Sequence, residues 1–258
     1  MQADRNDKIG GESDLKSEVS DWLRKIGLPL ELETHAAFIA GGFGSQHSTI
    51  YTDPESMKAR EIDVVAWMMS ADAHAYVQFN VECKSSPKPW IVVRSKLEAE
   101  NTLGFGAVGF VSDAMKESGK LLSLLVEPEA LRLRNGGYQL KQAFSGDNDP
   151  GYTTAIAASK SAQSVLIESP ALNVDYVSVQ PVIVVDSKLF ECEVQPDGTF
   201  RLEETDLSAF QFRTGGPTGH VVTIRVATKQ GLPILVQQCH DMAMAVFKHF
   251  PPDDEGDV

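Results

Sequence analysis

Hydrophobic positions recur along the chain with two periods, and the switches between them mark its elements. From Ser13, which can cap a helix, Leu15, Val19, Trp22, Leu23 and Ile26 share one helical face, and Gly27 followed by Pro29 stops it. Leu30–Ala40 reads as a strand and Gly41-Gly42-Phe43-Gly44 as a hairpin loop, with no GxGxxG or Walker spacing. Strands are expected at about 48–52, 60–68 and 75–84, a meander punctuated by Asp53-Pro54 and Ala71-Asp72 and ended by Pro87 and Pro89. In the third, Val77, Phe79, Val81 and Cys83 alternate with Gln78, Asn80, Glu82 and Lys84, so Glu82 and Lys84 project from one face, one pleat apart.

The pattern from 91 to 150 is mixed and reads as an insertion, with a helix at Leu121–Leu133 and a loop at Ser145–Gly151. Thr153–Ile167 reads as a helix whose Ala155, Ala158, Ala162 and Val165 let it lie close against a sheet. An apolar strand follows at Tyr176–Val185, then Leu189–Val194, a turn at Asp197-Gly198, and short strands at 208–213 and 220–226. Leu232–Phe250 closes the pattern as an amphipathic helix bearing Leu235, Met242, Val246 and Phe250. A crossover helix between strands implies a parallel pair and a sheet covered on both faces. The fold class is α/β: a mixed central sheet flanked by helices, in one domain over 13–250. Residues 1–12 and 251–258 are polar and aperiodic and are expected to be disordered, the second being an acidic tail.

Composition agrees with a globular core, at 42% hydrophobic and 23% charged residues in 258. No apolar run is long enough for a transmembrane helix and the N-terminus lacks a signal-peptide core, so no membrane and a cytoplasmic location are expected. Cys83, Cys192 and Cys239 lie far apart and fit reduced thiols. The net charge of −13 argues against nonspecific coating of nucleic acid, which depends on Lys and Arg at phosphates. A short basic strip remains, with Lys84, Lys88, Arg94 and Lys96 close in sequence. Lys88, Trp90 and Arg94 are the candidate nucleic-acid contacts, although Trp90 reads first as core and second as a platform for an unpaired base. Trp22 and Trp67 read as core. The six histidines show no zinc spacing and read as structural or exposed, with Gln46-His47-Ser48 as a stretch that would border the site.

Two strands carry the chemistry. Asp63 sits between Ile62 and Val64-Val65, and eighteen residues separate it from Glu82-Cys83-Lys84. A charge in an apolar strand needs a partner or an ion, because burying it unpaired is expensive. Two carboxylates beside an ammonium can hold a hard cation next to an activated water. This spacing, after a helix bearing Glu18 and within an α-β-β-β-α-β order, resembles the PD-(D/E)xK, or restriction endonuclease-like, nuclease superfamily. The likeness extends from Ser13 through Val185, and Ile62 stands where the motif has proline. The rest of the chain is elaboration, and Pro181–Asp186 with Leu189–Glu193 is similar to a late core strand and hairpin. The resemblance implies that Asp63, Glu82 and the Cys83 carbonyl ligate Mg²⁺ or Mn²⁺, and that Lys84 orients or deprotonates water. It also implies that Glu18 reaches the site through a water or through Lys84, with Asp14 and Asp21 near it on the same helix.

A metal-dependent nuclease acting on DNA is therefore the expected function. The alternatives are a catalytically inactive binding module of the same fold, or a subunit of a defence or repair complex. In such a complex a protein partner would supply the grip on DNA. Restriction-type nucleases are often dimers, so a homodimer is also an expectation.

Overall fold

The computed structural model describes residues 9–94, 109–126, 137–168, 172–195, 197–214 and 219–251. Helices α1 (Ile9–Lys25) and α2 (Leu28–Ala40) precede the meander β1 (Gly44–Thr52), β2 (Ala59–Met69) and β3 (Ala75–Lys84). Next come β4 (Trp90–Arg94), β5 (Phe110–Val111), α3 (Asp113–Glu117), α4 (Leu121–Val126) and β6 (Gly137–Gln142). Helix α5 (Pro150–Glu168) leads to β7 (Tyr176–Val185), β8 (Leu189–Val194), β9 (Phe200–Thr205), β10 (Leu207–Arg213) and β11 (Val221–Thr228), and α6 (Leu232–His249) ends the order. No helix among the described residues is long and apolar enough to cross a membrane.

The strands form one mixed sheet in the order β1-β2-β3-β7-β11-β10-β6-β4-β8-β9. β3 pairs in parallel with β7 along its whole length, from Ala75↔Tyr176 to Lys84↔Val185, the pairing the crossover helix implied. β7 shares its other edge between β5, at Ser178 and Val179, and β11, from Val182 to Val185. The sheet cannot be flat. Val185 and Leu189 are four residues apart, a span of at most about 15 Å. In a flat sheet the five strand places from β7 to β8 would need about 24 Å, so that half curls.

Both faces are covered. Val77, Phe79, Val81 and Cys83 of β3 share a core with Leu30 and Phe38 of α2 and with Leu235, Cys239 and Met242 of α6. On the opposite face Tyr76 of β3 packs with Val177 and Ile183 of β7 and Ala155, Ala158 and Ala162 of α5. The alanines allow the close approach expected of that helix.

Leu30–Ala40 is a helix, not the expected strand. Its buried residues are Leu30, Thr34 and Phe38, four apart, and Pro29 occupies a first-turn position where a missing N–H costs nothing. β1 consequently begins at Gly44, where a side chain would collide with the Trp67 indole at 2.5 Å. Trp22, expected in the core, is exposed, as are Leu15, Val19 and Ile26, because α1 touches little beyond α2. Ile9–Glu12 already belong to α1, since extending a nucleated helix by a turn is far easier than starting one. In the 91–150 stretch, β4 and β6 join the common sheet, and the expected helix is described as far as Val126, its remainder lying outside the described residues. β9 was not anticipated; it is an edge strand paired with β8 and exposed along nearly its whole length, Phe200 and Leu202 included.

Candidate active site

The site is created where the β1–β2 hairpin turns its faces over. Ser45 and His47, with Val64 and Ala66, lie toward α2, yet Ile62 clusters with Tyr51 and Val65 toward α5. Ile62 and Val65 are an odd number apart, so a regular strand would send them to opposite faces. The reversal falls at Ser48, whose φ of 54° breaks the extended backbone, opposite Asp63. There β2 also leaves the β3 ladder, whose last pair is Val64↔Val81. Asp63 therefore points to neither face but along the sheet. Its Oδ2 accepts the Cys83 N–H at 2.7 Å, standing in for the missing strand carbonyl.

This bond orients the rest of the motif. The Lys84 carbonyl accepts the Asp186 N–H at 3.3 Å on the β7 side. Backbone groups of successive strand residues face opposite edges, so the Cys83 carbonyl faces the Asp63 side. The Cys83 thiol turns into the α2 core, where burial holds its pKa well above the ordinary value. Glu82 and Lys84 share a face, as expected, and the Lys84 Nζ donates to Glu82 Oε1 at 2.5 Å.

The electrostatics tie the three residues together. Burial raises the Asp63 pKa, against the Cys83 N–H and Lys84, which favour its charge. Burial also raises Glu82, opposed by Lys84 and reinforced by Asp63. For Lys84, burial disfavours the ammonium, but attraction by Glu82 and Asp63 together outweighs it and the pKa rises. Two carboxylates held above their usual range beside one ammonium form a site that a further cation would relieve.

Among the described residues, the helical carboxylate coupled electrostatically to Asp63 and Lys84 is Glu31 of α2. Burial raises Glu31, as do the charges of Asp63 and Glu61, while His47 and Lys84 favour its ionised form. Glu18 is exposed on α1, with no interaction joining it to Asp63, Glu82 or Lys84 among the described residues. The sequence signal was present: Glu31 precedes His35 by one helical turn, a spacing hidden once the segment was read as a strand. His35 Nδ1 lies 2.9 Å from Ser45 Oγ, which donates to the Val65 carbonyl at 2.9 Å. The hydroxyl has one proton, so His35 Nδ1 must be the donor of the bond to Ser45. The His35 and His47 rings meet edge to face at 5.5 Å.

The expected nucleic-acid contacts do not form a grip. Trp90 is 1% exposed in the core, because pairing with both β6 and β8 places it inside the curled sheet. Arg94 is ion-paired to Glu191 of β8, and the exposed Lys88 donates to the Phe144 carbonyl at 2.8 Å. An open groove of about 960 Å³ lies beyond the C-terminal ends of β3, β7 and β11. Its charges are Lys25 and Lys188 against Asp186, Glu204 and Asp206, a poor match for a run of phosphates.

Among the described residues no three His, Cys, Asp or Glu side chains are gathered into a metal-holding group. The available donors are nevertheless those a hard cation takes. Asp63 and Glu82 each use one carboxylate oxygen in these hydrogen bonds and keep the other, and the Cys83 carbonyl adds a third oxygen. Mg²⁺ is commonly held by one or two carboxylates with water completing its shell, so the residues fit. No protein-family model, curated protein or solved structure matches the chain.

Proposed function

We propose that this chain is a metal-dependent nuclease hydrolysing phosphodiester bonds of DNA in the cytoplasm, on a restriction endonuclease-like core. One observation carries the reading: Asp63 is bonded to the backbone of the Glu82-Cys83-Lys84 strand at the point where β2 and β3 separate. The order α2, β1, β2, β3, α5 and β7, with β7 parallel to β3, supports the core. Glu31 then takes the place expected of Glu18.

Asp63, Glu82 and the Cys83 carbonyl would hold Mg²⁺ or Mn²⁺, which would polarise a phosphoryl oxygen and acidify a bound water. Lys84, exchanging its bond to Glu82 for one to water or phosphate, orients the nucleophile and offsets charge on phosphorus-bound oxygens. Glu31 supplies a further carboxylate for positioning that water. With Mg²⁺ and single- and double-stranded DNA and RNA, the purified chain should cleave DNA. Asp63→Ala and Lys84→Ala should each abolish cleavage, and activity retained in either rejects the site.

Charge favours a second reading. At −13, with Lys88 and Arg94 bonded to the chain's own Phe144 carbonyl and Glu191, the chain suits a subunit of a defence or repair complex, or a homodimer. Another protein or a second copy would then complete the DNA-binding surface. A catalytically inactive module is the limit of this reading. Calorimetric Mn²⁺ binding that Glu82→Ala removes, without cleavage by the chain alone, would select the subunit. Absence of Mn²⁺ binding would sink the metal site itself.

A further inference from the structure

The face of β3 that carries Glu82 and Lys84 is polar along its whole length. Tyr76, Gln78, Asn80, Glu82 and Lys84 succeed one another one pleat apart. Tyr76 is 7% exposed, Gln78 6% and Asn80 0%, a polar row buried beneath α5 where apolar side chains would ordinarily lie. Its neighbours are already linked. The Tyr76 hydroxyl donates to Gln78 Oε1 at 2.7 Å, Gln78 Nε2 to Asn80 Oδ1 at 2.6 Å, and Lys84 Nζ to Glu82 Oε1. Of the four adjacent pairs, only Asn80 and Glu82 are unbonded, and Asn80 Nδ2 is buried without a hydrogen-bond partner.

The direction of the row identifies what that nitrogen is for. Burial pushes the Tyr76 phenol up to about 12, so it remains a donor across the physiological range. Gln78 accepts from it and donates to Asn80 Oδ1, so the part of the Asn80 amide left without a partner is its N–H donor, and the next residue of the row is Glu82, a carboxylate. Reversing both amides would set a carbonyl against that carboxylate and strand the phenol proton.

We propose that Asn80 is the positioning residue of Glu82, its amide donating to the Glu82 carboxylate when Lys84 leaves to engage water or phosphate. The inference rests on the metal-site reading of Asp63 and Glu82. It adds a relay, Tyr76–Gln78–Asn80, that keeps Glu82 aimed when its ion pair opens.

The test combines Mn²⁺ calorimetry, cleavage kinetics and the side-chain amide resonances of Asn80 in the intact chain. Asn80→Leu keeps the volume and should weaken Mn²⁺ binding about 10- to 100-fold, the usual cost of losing a ligand's supporting partner. It should lower kcat and leave KM for DNA unchanged. Gln78→Met, which frees Asn80 to rotate, should act in the same direction but less. Were Asn80→Leu not to fold, the wild-type Asn80 amide protons should still move downfield on Mg²⁺ addition. Mn²⁺ binding and kcat within twofold of wild type in Asn80→Leu, or an Asn80 amide indifferent to Mg²⁺ in a chain that binds it, overturn the inference. A wild-type chain that binds neither ion fails at the metal site instead and removes the basis of both readings.

Discussion

Asp63 carries two separable duties, one to the backbone and one to the chemistry. Asp63→Ala leaves the Cys83 N–H without its acceptor, a cost of about 1–3 kcal/mol if the group stays dry. Asp63→Asn keeps an acceptor and removes only the charge. Because the folded pKa of Asp63 lies above its ordinary value, the stability it confers is complete below its unfolded pKa and falls as pH rises through the folded one. At pH 7 the charge therefore opposes folding. Thermal melts at pH 7 should place Asp63→Asn at or above wild type and Asp63→Ala below it, with both inactive. Equal melting of the two variants would show that the Cys83 bond does not matter. Asp63 was legible as an unusual charge in an apolar strand. Its direction was not, because an in-plane carboxylate depends on Ser48, fifteen residues earlier and on another strand.

Among the elements, α2 decides most about the site and was the one misread. It carries Glu31 and His35, and it closes one face of β3 through Phe38, stacked at 6.3 Å on Phe79, with Phe43 edge-on at 5.7 Å to Phe79. Phe79 is wholly buried, and Phe79→Ala should cost about 3–5 kcal/mol in a denaturant titration. Ile50→Ala, on an exposed strand position, should stay within about 0.5 kcal/mol of wild type. A Phe79→Ala loss no larger than that of Ile50→Ala would mean α2 is not docked as described. β2, β3, β7 and α5 could be read from sequence because alternation, unbroken apolar runs and small-residue spacing are local signals. In α2, Pro29 and the glycines after it made a helix look like a strand leading into a hairpin.

For the molecule as a whole, Asp53 joins the two layers. It lies at the β1–β2 turn, accepts the Glu55 and Ser56 N–H groups at 2.9 and 3.1 Å, and faces Lys160 of α5 and Arg60 of β2. The Ser56 N–H, above all, overcomes desolvation, and with Glu55 and Lys160 it brings Asp53 down to about 2. A depressed carboxylate confers stability above its unfolded pKa that is lost as pH falls through the folded value. Wild type should therefore lose stability between about pH 4 and pH 2, and Asp53→Asn should flatten that limb. An unchanged acid limb would remove Asp53 from the account. At the same scale the −13 charge should make unaided DNA binding weak, with a shallow dependence of affinity on salt.

The residues alone determined the order of strands in the meander, the shared face of Glu82 and Lys84, and the parallel partnership that a crossover helix implies. Each of these follows from periodicity within segments and from the order in which the segments succeed one another. Only the tertiary structure decided that Glu31 rather than Glu18 meets the site and that Arg94 is already paired. These outcomes depend on which segments pack together once the sheet curls and the hairpin turns over. Proximity of that kind belongs to the packed chain, because no single segment's pattern specifies the neighbours it will meet.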